Sequence, residues 1–321
     1  MRVIGLALAL LVGIGACAPL RQRPLTVLEP VAPVFTNTQL IASDGAQLGL
    51  QHWQPEGVEP WVVLVALHGM NDYSGAFALP GPYWAQRGVA VYAIDLRGFG
   101  KSPNRGVWPA LPLLRQDIRD AVSAARAAHP GVPVAVLGLS MGAAAAMDVE
   151  TSGQPTGAHG LILVSPAVWG WSQMPWAYSA ALRLAALTAP GARLEPPKSV
   201  IAQVTPSDNL ALLRRMGRDD NLLFETRTDA LLGLVNLMQR ASDAAEHVPP
   251  GTLYLLGARD EIIPPAVAER AAARLPPSVH VLRYANGYHL LLGDGQAETV
   301  WRDILAHLAG PSVPLRSVNS R

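Results

Sequence analysis

The chain has 321 residues, 50% of them hydrophobic and 15% charged, against a charged share of about 25% in ordinary soluble proteins. That is ample apolar material for one large α/β domain with an insertion, or for two domains, and it excludes general disorder. The net charge is +1, with 25 basic residues scattered among 24 acidic ones and no basic block, so nucleic acid is not expected as a partner.

The first element is a targeting signal over residues 1–16. Arg2 precedes an apolar run over 3–16, too short to span a bilayer comfortably and of the right length for the hydrophobic region of an export signal. Ile14-Gly15-Ala16-Cys17 resembles a bacterial lipobox, in which small residues precede a cysteine that is lipidated and becomes the mature N-terminus. Cys17 is the only cysteine, so no intramolecular disulfide can form, and lipid attachment would give the thiol a purpose. Ala16-Cys17-Ala18 also satisfies the small-x-small rule, and an ordinary signal peptide is the alternative. The lipobox resemblance implies a lipid-anchored protein of the bacterial cell envelope, on the periplasmic face or the cell surface. Residues 17–38 carry Pro19, Pro24, Pro30 and Pro33 with little periodicity, which predicts an extended tether.

A core is expected over 39–165 and 248–310. Leu40-Ile41 and the stretch 48–53 flank Ser43-Asp44-Gly45, whose Asp-Gly pair signals a hairpin, so the core opens with antiparallel strands. Residues 61–67 form the continuous apolar run of a strand covered on both faces, ending in His68-Gly69-Met70. A helix over 82–87 leads through Gly88 to a strand over 89–94 and the loop Asp95-Leu96-Arg97-Gly98-Phe99-Gly100-Lys101-Ser102. Its Gly-Lys-Ser invites a phosphate-loop reading. The first glycine of that motif would fall at Asp95, however, and Pro103 stands where a helix would continue, so nucleotide binding is rejected. Residues 113–129 space Leu114, Ile118, Ala121, Val122 and Ala125 as a helix that ends at Pro130-Gly131.

The stretch 134–147, V-A-V-L-G-L-S-M-G-A-A-A-A-M, then reads strand, sharp turn, helix. With 29 glycines a bare G-x-S-x-G is expected by chance in roughly one chain in ten, so the flanking pattern has to carry the reading. It is the setting of a nucleophile elbow, with Ser140 on a strained turn between Gly138 and Gly142. A strand over 161–164 follows, and the alternation then stops. Residues 166–247 are predominantly helical with no convincing strand, and read as a cap inserted over the C-terminal edge of a mostly parallel sheet. Trp169, Trp171, Trp176 and Tyr178 open this insertion, either as ordinary packing or as a surface for substrate or membrane. Alternation resumes with a strand over 252–256, a helix over 265–274, a strand over 279–284 and a helix over 297–309, before a flexible tail over 311–321.

A serine hydroxyl needs a base, and the base needs a partner that fixes its tautomer. On a sheet of this kind the acid and the histidine follow the serine, each past the end of a later strand. Asp260 lies past 253–257, with Glu261 as the neighbouring alternative. His280 and His307 fall inside a strand and a helix. His289, in Asn286-Gly287-Tyr288-His289-Leu290 between the last strand and the last helix, is the base candidate. The Met141 and Met70 amides are the expected oxyanion donors.

At these positions the chain resembles the α/β-hydrolase superfamily, and within it the monoacylglycerol lipase and lysophospholipase group described as serine aminopeptidase S33-like or Hydrolase_4. The resemblance covers roughly 40–309. It rests on Leu67-His68-Gly69, the loop from Asp95 to Ser102, Gly138-Leu139-Ser140-Met141-Gly142, the turn 257–260 and Gly287-Tyr288-His289. Two departures stand out: Ala143 replaces a glycine after the elbow, and Asp72-Tyr73-Ser74 replaces Glu-His-Ser. The resemblance implies an α/β-hydrolase fold with a mostly parallel sheet, helices on both faces and a helical cap. It implies nucleophile Ser140, acid Asp260, base His289, oxyanion amides from Met70 and Met141, and no metal or other cofactor. The expected activity is hydrolysis of carboxylic esters of single-chain lipids, with Trp169, Trp171 and Trp176 facing the substrate and Cys17 holding the protein to a membrane. An S33-like peptidase of the prolyl aminopeptidase type and a catalytically silent lipoprotein that binds a partner are the rivals.

Overall fold

Three strands of almost wholly aliphatic sequence form the centre of the molecule. In the computed structural model, which describes residues 19–27, 29–195 and 204–310, β4 (Val62–Leu67), β5 (Val89–Ile94) and β6 (Val134–Leu139) are buried at every position. They continue through β7 (Gly160–Val164), β10 (Leu253–Gly257) and β11 (His280–Tyr284) as a parallel sheet. On the other side β5 pairs antiparallel with β3 (Gln47–Trp53), which continues through β2 (Gln39–Ile41) to β1 (Val34–Phe35). The order is β1-β2-β3-β5-β4-β6-β7-β10-β11. The Asp-Gly pair turns between β2 and β3 as expected, with Gly45 at φ +79°, a conformation glycine adopts freely.

Period-2 alternation sends successive side chains to opposite layers. Val63, Val65 and Leu67 face one core with α2 (Leu111–Ala128), α3 (Met141–Glu150) and the cap helix α6 (Thr228–Asp243). Leu64, Ala66, Val91 and Leu137 face the other, against α1 (Pro80–Ala85) and α8 (Ala297–Ala309), whose Trp84, Val300 and Ile304 are fully buried. Continuous apolar strands follow from this double coverage. Asp148 on α3 accepts from Arg115 of α2 at 2.7 Å and from Arg240 of α6 at 2.6 Å, joining the helix after the elbow to both the core and the cap.

Between β7 and β10 the cap carries α4 (Trp176–Thr188), α5 (Leu210–Met216) and α6. It also holds what the sequence did not show, an antiparallel pair of β8 (Arg193–Leu194) with β9 (Thr226–Arg227). Two residues per strand are too few for any periodicity, so only the fold reveals the pairing. Among the described residues no helix is long and apolar enough to cross a membrane.

The expected extended tether over 17–38 is corrected for its described part. Leu20 N–H donates to Asp229 Oδ2 at 2.9 Å, Gln22 exchanges backbone bonds with Trp108 and Ala110, Leu25 N–H donates to Asp44 Oδ2 at 2.9 Å, and β1 joins the sheet. The prolines do preclude a helix, but buried carboxylates on the cap and on the first hairpin give the strap's N–H groups their acceptors, so it lies against the body. Cys17 and the tail over 311–321 lie outside the described residues.

Candidate active site

The elbow is built by close approach. Ser140 sits at φ +53°, and its N–H donates to Val164 O of the adjacent strand at 2.9 Å. A Cβ on Gly142 would run into the Leu67 and His68 carbonyls, and one on Gly138 into the Ala143 backbone, so both flanking glycines are required sterically. The third position of the elbow helix tolerates Ala143, which is fully buried against the core.

The structure brings together the three side chains singled out above. His289 Nε2 stands 2.9 Å from Ser140 Oγ, and His289 Nδ1 stands 2.8 Å from Asp260 Oδ2. Asp260 Oδ1 accepts from Ile262 N–H at 2.8 Å and Ile263 N–H at 2.9 Å, which locks the carboxylate so that its other oxygen faces the ring. Glu261, the alternative acid, points elsewhere and accepts from Thr205 N–H of the cap at 2.6 Å. Ser140 is 9% exposed and His289 5%, so the site is closed in this state.

Gly69, in the loop after β4, comes close to Ser140: a Cβ there would stand 3.5 Å from Ser140 Cβ. His68 supports it from beneath, with Nδ1 against Gly69 O at 2.7 Å and Nε2 against Leu96 N–H at 2.9 Å, so the ring donates at Nδ1 and accepts at Nε2. Burial pushes this imidazole below its usual range, keeping it neutral. Met141 N–H stands directly after Ser140, at the start of α3, and Met70 N–H follows Gly69. The Gly-Lys-Ser of the neighbouring loop serves this architecture instead of a phosphate. Asp95 accepts from Ser74 N–H at 2.7 Å and Lys101 N–H at 2.8 Å, and Ser102 Oγ donates to Asp95 O.

A cavity of about 210 Å³ is lined by Leu139 and Leu290, the chain neighbours of Ser140 and His289. Ala76 and Leu79 line it from the core, Leu212 and Met216 of α5 from the cap, and Asp72, Tyr73, Arg215 and Asp219 supply its polar atoms. Burial raises the Asp72 carboxyl to about 7. Burial also acts upward on Asp219, but the Tyr73 hydroxyl and Asn221 hold it below its usual value.

None of Trp169, Trp171 and Trp176 lines this cavity. Trp171 is half-buried, donates to Asn236 Oδ1 of α6 at 2.8 Å and lies under the Arg183 guanidinium at 4.5 Å. Trp169 donates to Gln173 O at 3.2 Å and packs on the core, so these two rings seat α4 and the cap entrance. Trp176 is 83% exposed.

Sequence reasoning missed two groups beside the histidine and the oxyanion loop. Asp294 accepts from Tyr288 N–H at 2.7 Å, next to His289, and burial raises it to about 6. Asn71 and Tyr73 bond to the cap across more than a hundred residues, a pairing that leaves no trace in local pattern. Among the described residues no group of three or more His, Cys, Asp or Glu side chains is placed to hold a metal ion.

The sheet order, the elbow and the loops around it define an α/β-hydrolase fold. The chain belongs to the serine aminopeptidase S33 family, Hydrolase_4, whose family model matches residues 59–296. A monoacylglycerol lipase of Mycolicibacterium smegmatis is 25% identical over 273 residues, 81% of this chain and 92% of that protein. An uncharacterized abhydrolase domain-containing protein of Dictyostelium discoideum is 30% identical over 131 residues, 41% of this chain and 14% of that protein, so this chain matches only a small part of it. The same fold is seen in the crystal structure of a Paleococcus ferrophilus monoacylglycerol lipase, with a TM-score of 0.66 and 21% identity over 80% of this chain and 96% of that one.

Proposed function

We propose that the protein hydrolyses carboxylic esters of single-chain lipids through an acyl-enzyme. His289 takes the proton of Ser140 as the oxygen attacks the ester carbonyl, and Asp260 holds the imidazole in the accepting tautomer and steadies the imidazolium. The Met70 and Met141 amides receive the developing oxyanion. His289 then returns the proton to the leaving alkoxide, and a water activated by the same ring releases the acid. The observation that carries this reading is the hydrogen-bonded chain of Ser140, His289 and Asp260. The monoacylglycerol lipase relative of similar length supports the substrate class.

The peptidase rival needs a free carboxylate for a substrate ammonium. In the cavity Asp72 is driven toward neutrality by burial, and Asp219 is engaged by the Tyr73 hydroxyl at 2.7 Å and by Asn221. Asp72 does not suit that task, and Asp219 keeps its charge beside Arg215, a cation that disfavours a substrate ammonium there.

The cavity also sets a chain length. About 150 Å³ accommodates benzene, so at the same packing the observed 210 Å³ holds roughly eight carbons. At about 0.8 kcal/mol per buried methylene, kcat/KM for p-nitrophenyl esters should rise about fourfold per methylene from acetyl to about octanoyl and then level off. Leu212→Trp should move the break to shorter chains, while Trp171→Ala and Trp176→Ala leave the slope unchanged. A profile that peaks at acetyl, together with cleavage of proline amides, would favour the peptidase.

We further propose that Cys17 carries the lipid that holds the protein at the membrane. Leu20 is fixed on Asp229 of the cap, and three residues span at most about 10 Å, so an anchor at Cys17 would keep the cap at the bilayer. The exposed Trp176, Tyr178, Leu184 and Leu187 of α4 suit that neighbourhood. Cys17→Ser should move the protein from the membrane fraction to an unprocessed or soluble form. Unchanged fractionation would leave an ordinary signal peptide as the explanation.

A further inference from the structure

Residues 69–74 pass from the end of β4 close by Ser140; the core holds the near end of this loop through His68 Nδ1 on Gly69 O at 2.7 Å and the far end through Ser74 N–H on Asp95 Oδ1 at 2.7 Å. Its middle is held by the cap. Asn71, the residue after Met70, lies in the left-handed region at φ +61°. Its carbonyl accepts from Leu223 N–H at 2.9 Å, and its Nδ2 donates to Thr226 Oγ1 at 2.6 Å. Two residues on, Tyr73 OH donates to Asp219 Oδ2 at 2.7 Å. All three partners belong to the single stretch 219–226 between α5 and α6. Asn71 Oδ1 is buried without a partner, so among the described residues the Thr226 bond alone orients this amide.

We propose that Asn71 is a positioning residue through which the seated cap holds the Met70 amide at the oxyanion, so that cap closure and assembly of the oxyanion site are one event. The proposal rests on the serine hydrolase reading above. A left-handed residue gripped through both its carbonyl and its side chain fixes the direction of the peptide before it. Lifting 219–226 to admit substrate releases both grips, and the oxyanion donor is restored only when the cap returns. Acylation is thereby confined to the closed state, in which Ser140 is shielded from water.

The test compares Thr226→Val, which keeps the shape of the side chain and removes the acceptor, with Thr226→Ser, which keeps the acceptor. Loss of a whole oxyanion donor costs about 10²- to 10³-fold in kcat, so a misplaced one should cost about 10- to 100-fold. Thr226→Val should show that loss in kcat with KM within about threefold, and should weaken binding of an alkyl boronic acid, which forms a tetrahedral adduct on the serine, by the same factor. Thr226→Ser should restore both. Tyr73→Phe, at a partly exposed hydroxyl, should lower kcat in the same direction and serves if Thr226→Val does not fold. Unchanged kcat and boronate affinity, or equal losses in Thr226→Val and Thr226→Ser, would overturn the proposal. Parent protein that takes no fluorophosphonate label would instead overturn the hydrolase reading beneath it.

Discussion

Alanine at Ser140 is expected to lower kcat/KM toward p-nitrophenyl butyrate by about 10⁴-fold or more, with the thermal unfolding midpoint within a few degrees of the parent. The oxygen that would bond to the acyl carbon is lost, and His289 Nε2, 2.9 Å from it, is left with no proton to take. The fold has little reason to respond. The elbow strain at φ +53° is the same for alanine as for serine, and the turn is held by the backbone bond to Val164 O and by the close approach of Gly142 to β4, neither of which involves the hydroxyl. What remains should be background from the oxyanion amides and the cavity. Activity within about tenfold of the parent would place the nucleophile elsewhere.

The second large effect is expected at Asp260. Asparagine there should reduce kcat by about 10⁴-fold, whereas Glu261→Gln should stay close to the parent. Asp260 Oδ1 is committed to two backbone N–H donors, and Oδ2 faces His289 Nδ1. An asparagine that keeps its oxygen on the backbone donors presents an NH2 to the ring, and the imidazole must then carry its proton on Nε2, where it cannot accept from Ser140. The Glu261 carboxylate does no more than accept from Thr205 N–H, a task the glutamine oxygen can also perform. The reverse ranking of the two variants would move the acid by one residue.

How much of this was legible in the chain depends on the range of the signal. The strands with unbroken Val, Leu, Ile and Ala and the α2 spacing of Leu114, Ile118 and Val122 announce themselves locally, because burial on two faces or on one face imposes a pattern on neighbouring residues. The elbow is legible for a related reason: close packing against Leu67 and Ala143 dictates two glycines around one serine. Asp260 and His289 could be singled out because each stands just past a strand, where a parallel sheet gathers its side chains.

The remainder depends on contacts that no local pattern encodes. The clamp from Asn71 to Thr226 joins two neutral side chains of ordinary type, and β8 and β9 are two residues long. The strap over 19–38 looked like a free linker because proline removes helical periodicity whether or not the chain is bound. Its attachment depends on Asp229 and Asp44, remote in sequence. The roles of the tryptophans also lie beyond local pattern. An indole that seats one cap helix on another and an indole that lines an acyl cavity have the same composition and spacing, and only the partners, Asn236 and Gln173, separate them.

The central claim is that Ser140 is a nucleophile activated by His289. Treatment of the full chain with an alkyl fluorophosphonate, followed by mass spectrometry of the intact protein and its peptides, tests it most directly. The account predicts one phosphonyl adduct per chain, on the peptide carrying Ser140, absent in Ser140→Ala and formed far more slowly in Asp260→Asn. No adduct on the folded protein, or an adduct on a different residue that persists in Ser140→Ala, would contradict it.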